Sequence, residues 1–239
     1  NSALNVGSAV TLTSNGDAGG TWGSDNASAA TINSSTGAVS AVATGNAVMT
    51  YTVSASPCSD ATATKTVNVT NDFLSSGNSS NWSSTTAWGG GVVPLSSSDV
   101  TISHNMTVDA TTNTLTTLTV DGSKTLTVAT GNTITVSGAS DVNGIISVTG
   151  NYDANGTFDG TGGTITINAN GTLAVAGTIT DLGTFTNNGT FAMDGSGTKT
   201  VPGSGSKSTH IELANDGANY KISGGDVTLD ADGTEWQIK

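Results

Sequence analysis

Arginine is missing from this 239-residue chain, and lysine occurs six times. Charged residues make up 10% and aromatic residues 5% of the sequence, with one cysteine, two histidines and three prolines. Each shortage excludes something. Without a basic patch, the counterion release that drives nucleic-acid binding has nothing to act on. An anionic membrane surface would repel a chain whose net charge is −12. A lone Cys58 permits neither an intrachain disulfide nor a thiolate metal site. His104 and His210 stand about 100 residues apart with no nucleophile-elbow motif around a serine, which leaves nucleophilic catalysis without a base. Zinc would need three or four clustered ligands that are not there. Gly89-Gly90-Gly91 lacks the lysine and helix of a phosphate loop and reads as a tight passage beside Trp88. No apolar run is long enough to cross a bilayer, and no signal peptide is visible. The chain begins without methionine and stops in the strand-like Trp236-Gln237-Ile238-Lys239, so it is expected to be a segment of something longer.

What is present points to β-structure. Thr, Ser, Asn and Ala are abundant and glycine occurs 32 times. Thr and Val suit pleated, half-buried surfaces, while Gly, Asn, Asp and Ser suit the turns between short strands. Glutamate occurs twice against sixteen aspartates, so long-stemmed helix formers are scarce. So low a charge fraction is also found in disordered chains, but apolar pairs recur at i, i+2 along almost the whole length. The expected class is all-β: a small β-sandwich over residues 1–70, a linker and tryptophan-containing cap over 71–99, and a β-solenoid over 100–239.

In the first region, short alternating strands are predicted at Val10–Leu12, Thr21–Trp22, Ala30–Ile32, Ala38–Val42, Ala47–Val53 and Thr64–Val69. Gly16, Gly19-Gly20, Asn33 to Gly37, Thr44 to Asn46 and Ser56-Pro57 punctuate them. That spacing is the spacing of a small β-sandwich. The progression Gly20-Thr21-Trp22-Gly23-Ser24-Asp25-Asn26, Ala30-Thr31-Ile32, Thr36-Gly37-Ala38-Val39-Ser40-Ala41-Val42 and Thr44-Gly45-Asn46-Ala47 resembles a bacterial immunoglobulin-like domain of group 2. The resemblance implies a core role for Trp22, turns at Gly37 and Gly45, and a spacing or adhesive job in an extracellular protein. Members with a cysteine at the place of Cys58 often pair it near the domain start, where Leu4-Asn5-Val6-Gly7 offers no partner. Cys58 is therefore expected to be a plain buried residue, with an unpaired, crosslinking thiol as the alternative. The usual first strand looks cut short at Asn1, which would leave a sheet edge open to a strand from another chain.

From Val100 onward apolar residues pair two apart: Val100/Ile102, Leu118/Val120, Leu126/Val128, Ile134/Val136, Ile146/Val148, Ile165/Ile167 and Leu173/Val175, then Ile211/Leu213, Tyr220/Ile222 and Val227/Leu229. Ile179, Phe185 and Phe191 are single anchors between them. The step is about eight residues, and Asn-Gly-Thr turns recur at 155–157, 170–172 and 188–190. Short strands with one inward face and corners tolerant of positive φ define a coiled β-solenoid, whose coils share a core by stacking. Asn81-Trp82-Ser83 through Trp88-Gly89, with the repeats after them, is similar to the right-handed parallel β-helix regions of large secreted Bacteroidetes proteins. An antiparallel two-sheet sandwich is the alternative architecture.

Four chemistries were weighed against plainer readings. Asp230, Asp232 and Glu235 surround Gly233 at a spacing that offers oxygen ligands to Ca²⁺, or simply form a turn, since the twelve-residue calcium-loop pattern is absent. Trp82 and Trp88 cap the solenoid or form a glycan-stacking platform. Thr-x-Thr triplets at 114–116, 117–119, 125–127, 133–135 and 164–166 would make an ice-binding face if stacked into one flat array, or are the outward residues flanking inward aliphatics. A β-helix lyase would need Arg or Lys to neutralise a uronate carboxyl, whereas this chain has no Arg and its solenoid lysines are scattered at 124, 199, 207, 221 and 239; a hydrolase would need two carboxylates about 5–10 Å apart. Asp141, Asp153, Asp159 and Asp181 sit beside Asn or Gly as turn aspartates do. The expectation is a non-catalytic spacer and stalk of a secreted cell-surface adhesin. It takes no cofactor unless Ca²⁺, its partners are other copies or domains of the same protein, with glycans as the further candidate, and it contacts neither nucleic acid nor membrane. A self-assembling extracellular filament and a carbohydrate-active β-helix stand as alternatives.

Overall fold

The computed structural model describes residues 2–16 and 18–193. They fold into two units, one within residues 2–72 with 90–92 and one of residues 73–89 and 93–193. Every regular element among the described residues is a β-strand, apart from one 3₁₀ turn at Thr85–Ala87.

The first unit holds β1 (Ser2–Asn5), β2 (Ala9–Thr11), β3 (Thr21–Ser24), β4 (Ala30–Ile32), β5 (Ala38–Ala41), β6 (Gly45–Val53) and β7 (Ala61–Thr70). Its sheets run β1-β7-β6-β3 and β2-β5-β4. Alternation along the strands turns Ala30, Val39, Ala41, Ala47, Met49, Val67 and Val69 into one shared core. Trp22 is half-buried against it, with its ring 4.8 Å from that of Tyr51. Gly37 adopts φ +72°, and the Leu12 carbonyl and the Trp22 indole nitrogen occupy the place of a side chain there.

Two expectations are corrected in this unit. The first strand is present: β1 lies parallel to β7, pairing Ser2 with Val67 through Asn5 with Thr70. It covers the C-terminal part of the β7 edge, and among the described residues no strand pairs with the stretch from Ala61 to Thr66 on that side. Cys58 is exposed instead of buried, because it falls in the polar loop between β6 and β7 and outside the alternation that feeds the core.

The second unit is a β-solenoid of about five coils, with three short strands to a coil. After β8 (Asp72–Leu74) come β9 (Asp99–Ile102) and β10 (Met106–Val108) of the first coil. The second coil contributes β11 (Thr117–Val120), β12 (Thr125–Val128) and β13 (Thr133–Val136). In the third are β14 (Ser140–Val142), β15 (Ile145–Val148) and β16 (Asn151–Ala154). The fourth is β17 (Phe158–Asp159), β18 (Thr164–Ile167) and β19 (Thr172–Val175); the fifth is β20 (Ile179–Asp181), β21 (Thr184–Asn187) and β22 (Thr190–Met193). Stacking produces three sheets, β8-β9-β11-β14-β17-β20, β10-β12-β15-β18-β21 and β13-β16-β19-β22. The registered pairings from β9 to β22 are all parallel, which overturns the antiparallel-sandwich alternative. The eight-residue sequence step is one face of the solenoid; a whole coil takes about twenty residues.

Four-residue strands of the Thr-apolar-Thr-apolar type alternate half-buried and buried positions, so every second side chain enters the interior. In-register pairing then lines the interior with columns of like residues. One column is Met106–Leu126–Ile146–Ile165–Phe185, each member at most 1% exposed. Full burial of one such side chain stabilises by about 1.5–3 kcal/mol, and no coil achieves it without its neighbours.

The corners stack as strictly as the faces. Gly138, Gly156 and Gly177 form one column, in which a Cβ on Gly156 would strike the Gly138 carbonyl and one on Gly177 the Gly156 carbonyl. Equivalent conflicts place Gly144, Gly163 and Gly183 at a second corner and Gly150, Gly171 and Gly189 at the third. The backbone of one coil thus fills the space where the next coil would carry a side chain, and glycine is required for steric reasons at these nine positions.

Candidate functional site

Three outward faces carry the chemistry that the solenoid displays, and they differ in charge. On the β9-to-β20 face the outward column reads Thr101–Thr119–Asp141–Asp159–Asp181, with Asp99 beside Thr117. Here the structure brings together three of the aspartates that the sequence offered as catalytic carboxylates; Asp153 lies elsewhere, on the β16 face. Each of the three is occupied locally. Asp141 accepts from the Asn143 side-chain amide at 3.0 Å, Asp159 from the Thr161 hydroxyl at 2.6 Å and backbone N–H at 3.0 Å, and Asp181 from the Gly183 N–H at 2.8 Å. These are turn-stabilising bonds of short side chains to nearby groups.

The β10-to-β21 face is different. One outward column is Thr107–Thr127–Ser147–Thr166–Thr186 and the other is Thr125–Ile145–Thr164–Thr184. No acidic, basic or aromatic residue stands in either column. The Thr hydroxyls here make no hydrogen bond among the described residues, whereas Ser147 Oγ accepts from the Asn168 amide at 2.9 Å. The five predicted Thr-x-Thr triplets do not share this surface. Thr114–Thr116 precedes β11, Thr117–Thr119 lies on β11 and Thr133–Thr135 on β13, leaving Thr125–Thr127 and Thr164–Thr166 here. The array is completed by Thr107 and by Thr184-Phe185-Thr186, which sequence reading passed over.

Trp82 and Trp88 pack inside the second unit, 3% and 2% exposed. Their rings meet edge to face at 4.8 Å, Phe73 abuts Trp88 at 6.3 Å, and Trp88 Nε1–H donates to the Trp82 carbonyl at 2.9 Å. The backbone beside them extends the stack by one irregular level: Trp82 N–H donates to Thr107 O at 2.8 Å, and Asn81 bridges Thr107 in parallel. A glycan platform needs a ring face open to solvent, and neither indole presents one. Asp109 ties the same segment down, accepting the Ser83 hydroxyl at 2.6 Å and its N–H at 2.9 Å. Slight burial raises the Asp109 carboxyl, but these bonds from Ser83, with backbone contacts at Asp109 and Trp82, outweigh it and hold the carboxyl below its ordinary value.

One serine–histidine contact was not foreseen. Ser75 Oγ lies 3.4 Å from His104 Nδ1, and Ser103 joins the cluster. Its geometry is structural. The Ser75 carbonyl lies 2.9 Å from Nδ1, and a carbonyl can only accept, so Nδ1 carries the proton and has no lone pair for the hydroxyl. Ser75 Oγ already accepts N–H bonds from Ser103 at 2.9 Å and His104 at 3.1 Å, and the residue is 1% exposed. The cluster pins the end of β8 to the end of β9. The pairing joins residues 29 positions apart, which no local motif signals.

Asp230, Asp232, Glu235 and His210 lie outside the described residues. Among the described residues no group of three or more His, Cys, Asp or Glu side chains is placed to hold a metal ion, and no helix is long and apolar enough to cross a membrane. No protein-family model, curated protein or solved structure matches the chain.

Proposed function

We propose that this chain is a non-catalytic structural and adhesive module of a secreted bacterial cell-surface protein, with the first unit as spacer and the solenoid as stalk. The carrying observation is the set of in-register interior columns, which makes each coil depend on the next and gives a stiff rod that rises about 4.8 Å per coil. Stiffness and length are what a stalk supplies, while a composition without arginine and with a net charge of −12 suits an exterior that stays soluble. In this reading the two sheets of the first unit, sharing the Val39–Met49–Val67 core, belong to an immunoglobulin-like sandwich of the group-2 kind. The coils wind right-handed, as parallel β-connections overwhelmingly do.

The experiment is localisation. Antibody raised against this segment is expected to label intact cells of the producing organism, and protease added outside should remove the signal. Labelling that appears only after lysis would overturn the reading. A panel of glycans incubated with the purified protein should release no reducing sugar; release would instead support the carbohydrate-active alternative.

A further inference from the structure

The β10-to-β21 face combines three properties. It is laid out as a lattice, because successive coils repeat about 4.8 Å apart and outward residues along a strand about 6.6 Å apart. Carbon and oxygen are mixed at seven of the nine points, since every threonine offers a methyl and a hydroxyl from a side chain whose β-branch restricts χ1. And it is neutral, although aspartates occupy the outward columns of both neighbouring faces at Asp141, Asp159, Asp181 and Asp153.

A partner must match all three. A charged polymer would find no counter-charge here and would be better served by the acidic face. A soluble or crystalline glycan is held by aromatic rings stacked on sugar faces, and this surface has none. Water ordered into a crystal fits. The coil repeat lies close to the shorter oxygen repeat of hexagonal ice. Methyls order the water between hydroxyls that anchor it, and the absence of charge avoids hydration shells that no ice lattice accommodates. The threonine hydroxyls are not engaged by described neighbours, so they are available to that water. We infer that the face formed by Thr107–Thr127–Ser147–Thr166–Thr186 and Thr125–Ile145–Thr164–Thr184 binds ice. The inference stands on the solenoid alone and is independent of where the protein is located.

Ile145 is the one member of the two columns without a hydroxyl, and it is 38% exposed, so the face can be improved as well as broken. The full chain, labelled with a fluorophore on the exposed Cys58, would be offered to a slowly grown ice hemisphere, and thermal hysteresis would be read in parallel. The wild-type chain is expected to enter the ice and shape its crystals. Thr127→Lys combined with Thr166→Lys should abolish both effects, Thr135→Lys on the adjacent β13 face should retain them, and Ile145→Thr should increase hysteresis. Circular dichroism would verify that each variant keeps the wild-type fold. Exclusion of the wild-type chain from ice would overturn the inference, and so would uptake unchanged by the paired lysines. Retention on crystalline cellulose without entry into ice would assign the face to a glycan and overturn it equally.

Discussion

Tyr152 Oη donates to Ser140 Oγ at 3.0 Å across the interior of the third coil, and neither residue is more than 1% exposed. Both stand in columns otherwise filled by hydrocarbon, Tyr152 between Ile134 and Leu173 and Ser140 between Leu118 and Phe158. Each polar atom is tolerable because the other is there. Ser140→Ala or Tyr152→Phe alone should lower stability by about 1–3 kcal/mol by orphaning the survivor. The double variant should lose less than the two singles combined. Urea unfolding of the four proteins checks this; strict additivity would refute the coupling.

The same burial pushes the Tyr152 phenol above its ordinary value of 10, against a weaker lowering by the Ser140 bond. The folded state therefore keeps a proton that the unfolded state releases above about pH 10, and stability declines as pH rises past that point. Absorbance at 295 nm should show Tyr152 ionising together with alkaline unfolding, and Tyr152→Phe should flatten the pH dependence of stability there.

Corner glycines should separate sharply from glycines in the open. Gly156→Ala places a methyl onto the Gly138 carbonyl of the preceding coil, and overpacking of that kind costs about 1–3 kcal/mol. Gly122, whose added Cβ meets nothing closer than the Asn143 carbonyl at 3.8 Å, should accept alanine with a change of about 0.5 kcal/mol or less. Thermal denaturation midpoints of the two variants test the contrast.

Trp82→Ala should cost about 3–5 kcal/mol, as removal of a large buried aromatic does, and should leave Trp88 fluorescence red-shifted by entering water. An unchanged emission maximum would mean that the two rings do not depend on each other.

The Asp109 carboxyl, held below its ordinary value, contributes stability that is complete above the unfolded value near 3.9 and is lost as pH falls through the lowered folded value. Asp109→Asn should therefore lessen the acid sensitivity of the segment around Trp82, read by its tryptophan emission between neutral pH and pH 2.

The solenoid was legible where hydrocarbon pairs mark both inward positions of a strand, as at Leu126/Val128 or Ile165/Ile167. It was hidden where those positions are Tyr152/Ala154 or Ser140/Val142, since a tyrosine and a serine that satisfy each other across the coil look polar one strand at a time. The Asn-Gly-Thr turns were readable, but the reason for their glycines was not, because the obstructing carbonyl belongs to a residue about twenty positions away. β1 escaped notice because its four residues pair with β7 in parallel from the far end of the unit, without a hairpin signal. The Ser75–His104 cluster was out of reach for the same reason, and the burial of Trp82 and Trp88 resolves a choice that composition left open.

The corner columns carry a further consequence. At each of the three ridges one glycine in each of three successive levels locks its coil's backbone against a carbonyl of the coil before, whatever side chains stand on the flat panels between the ridges. Selection, or an engineer, can therefore rewrite one panel while the others keep their text, and a coil copied whole would slot into the stack with its lettering already aligned.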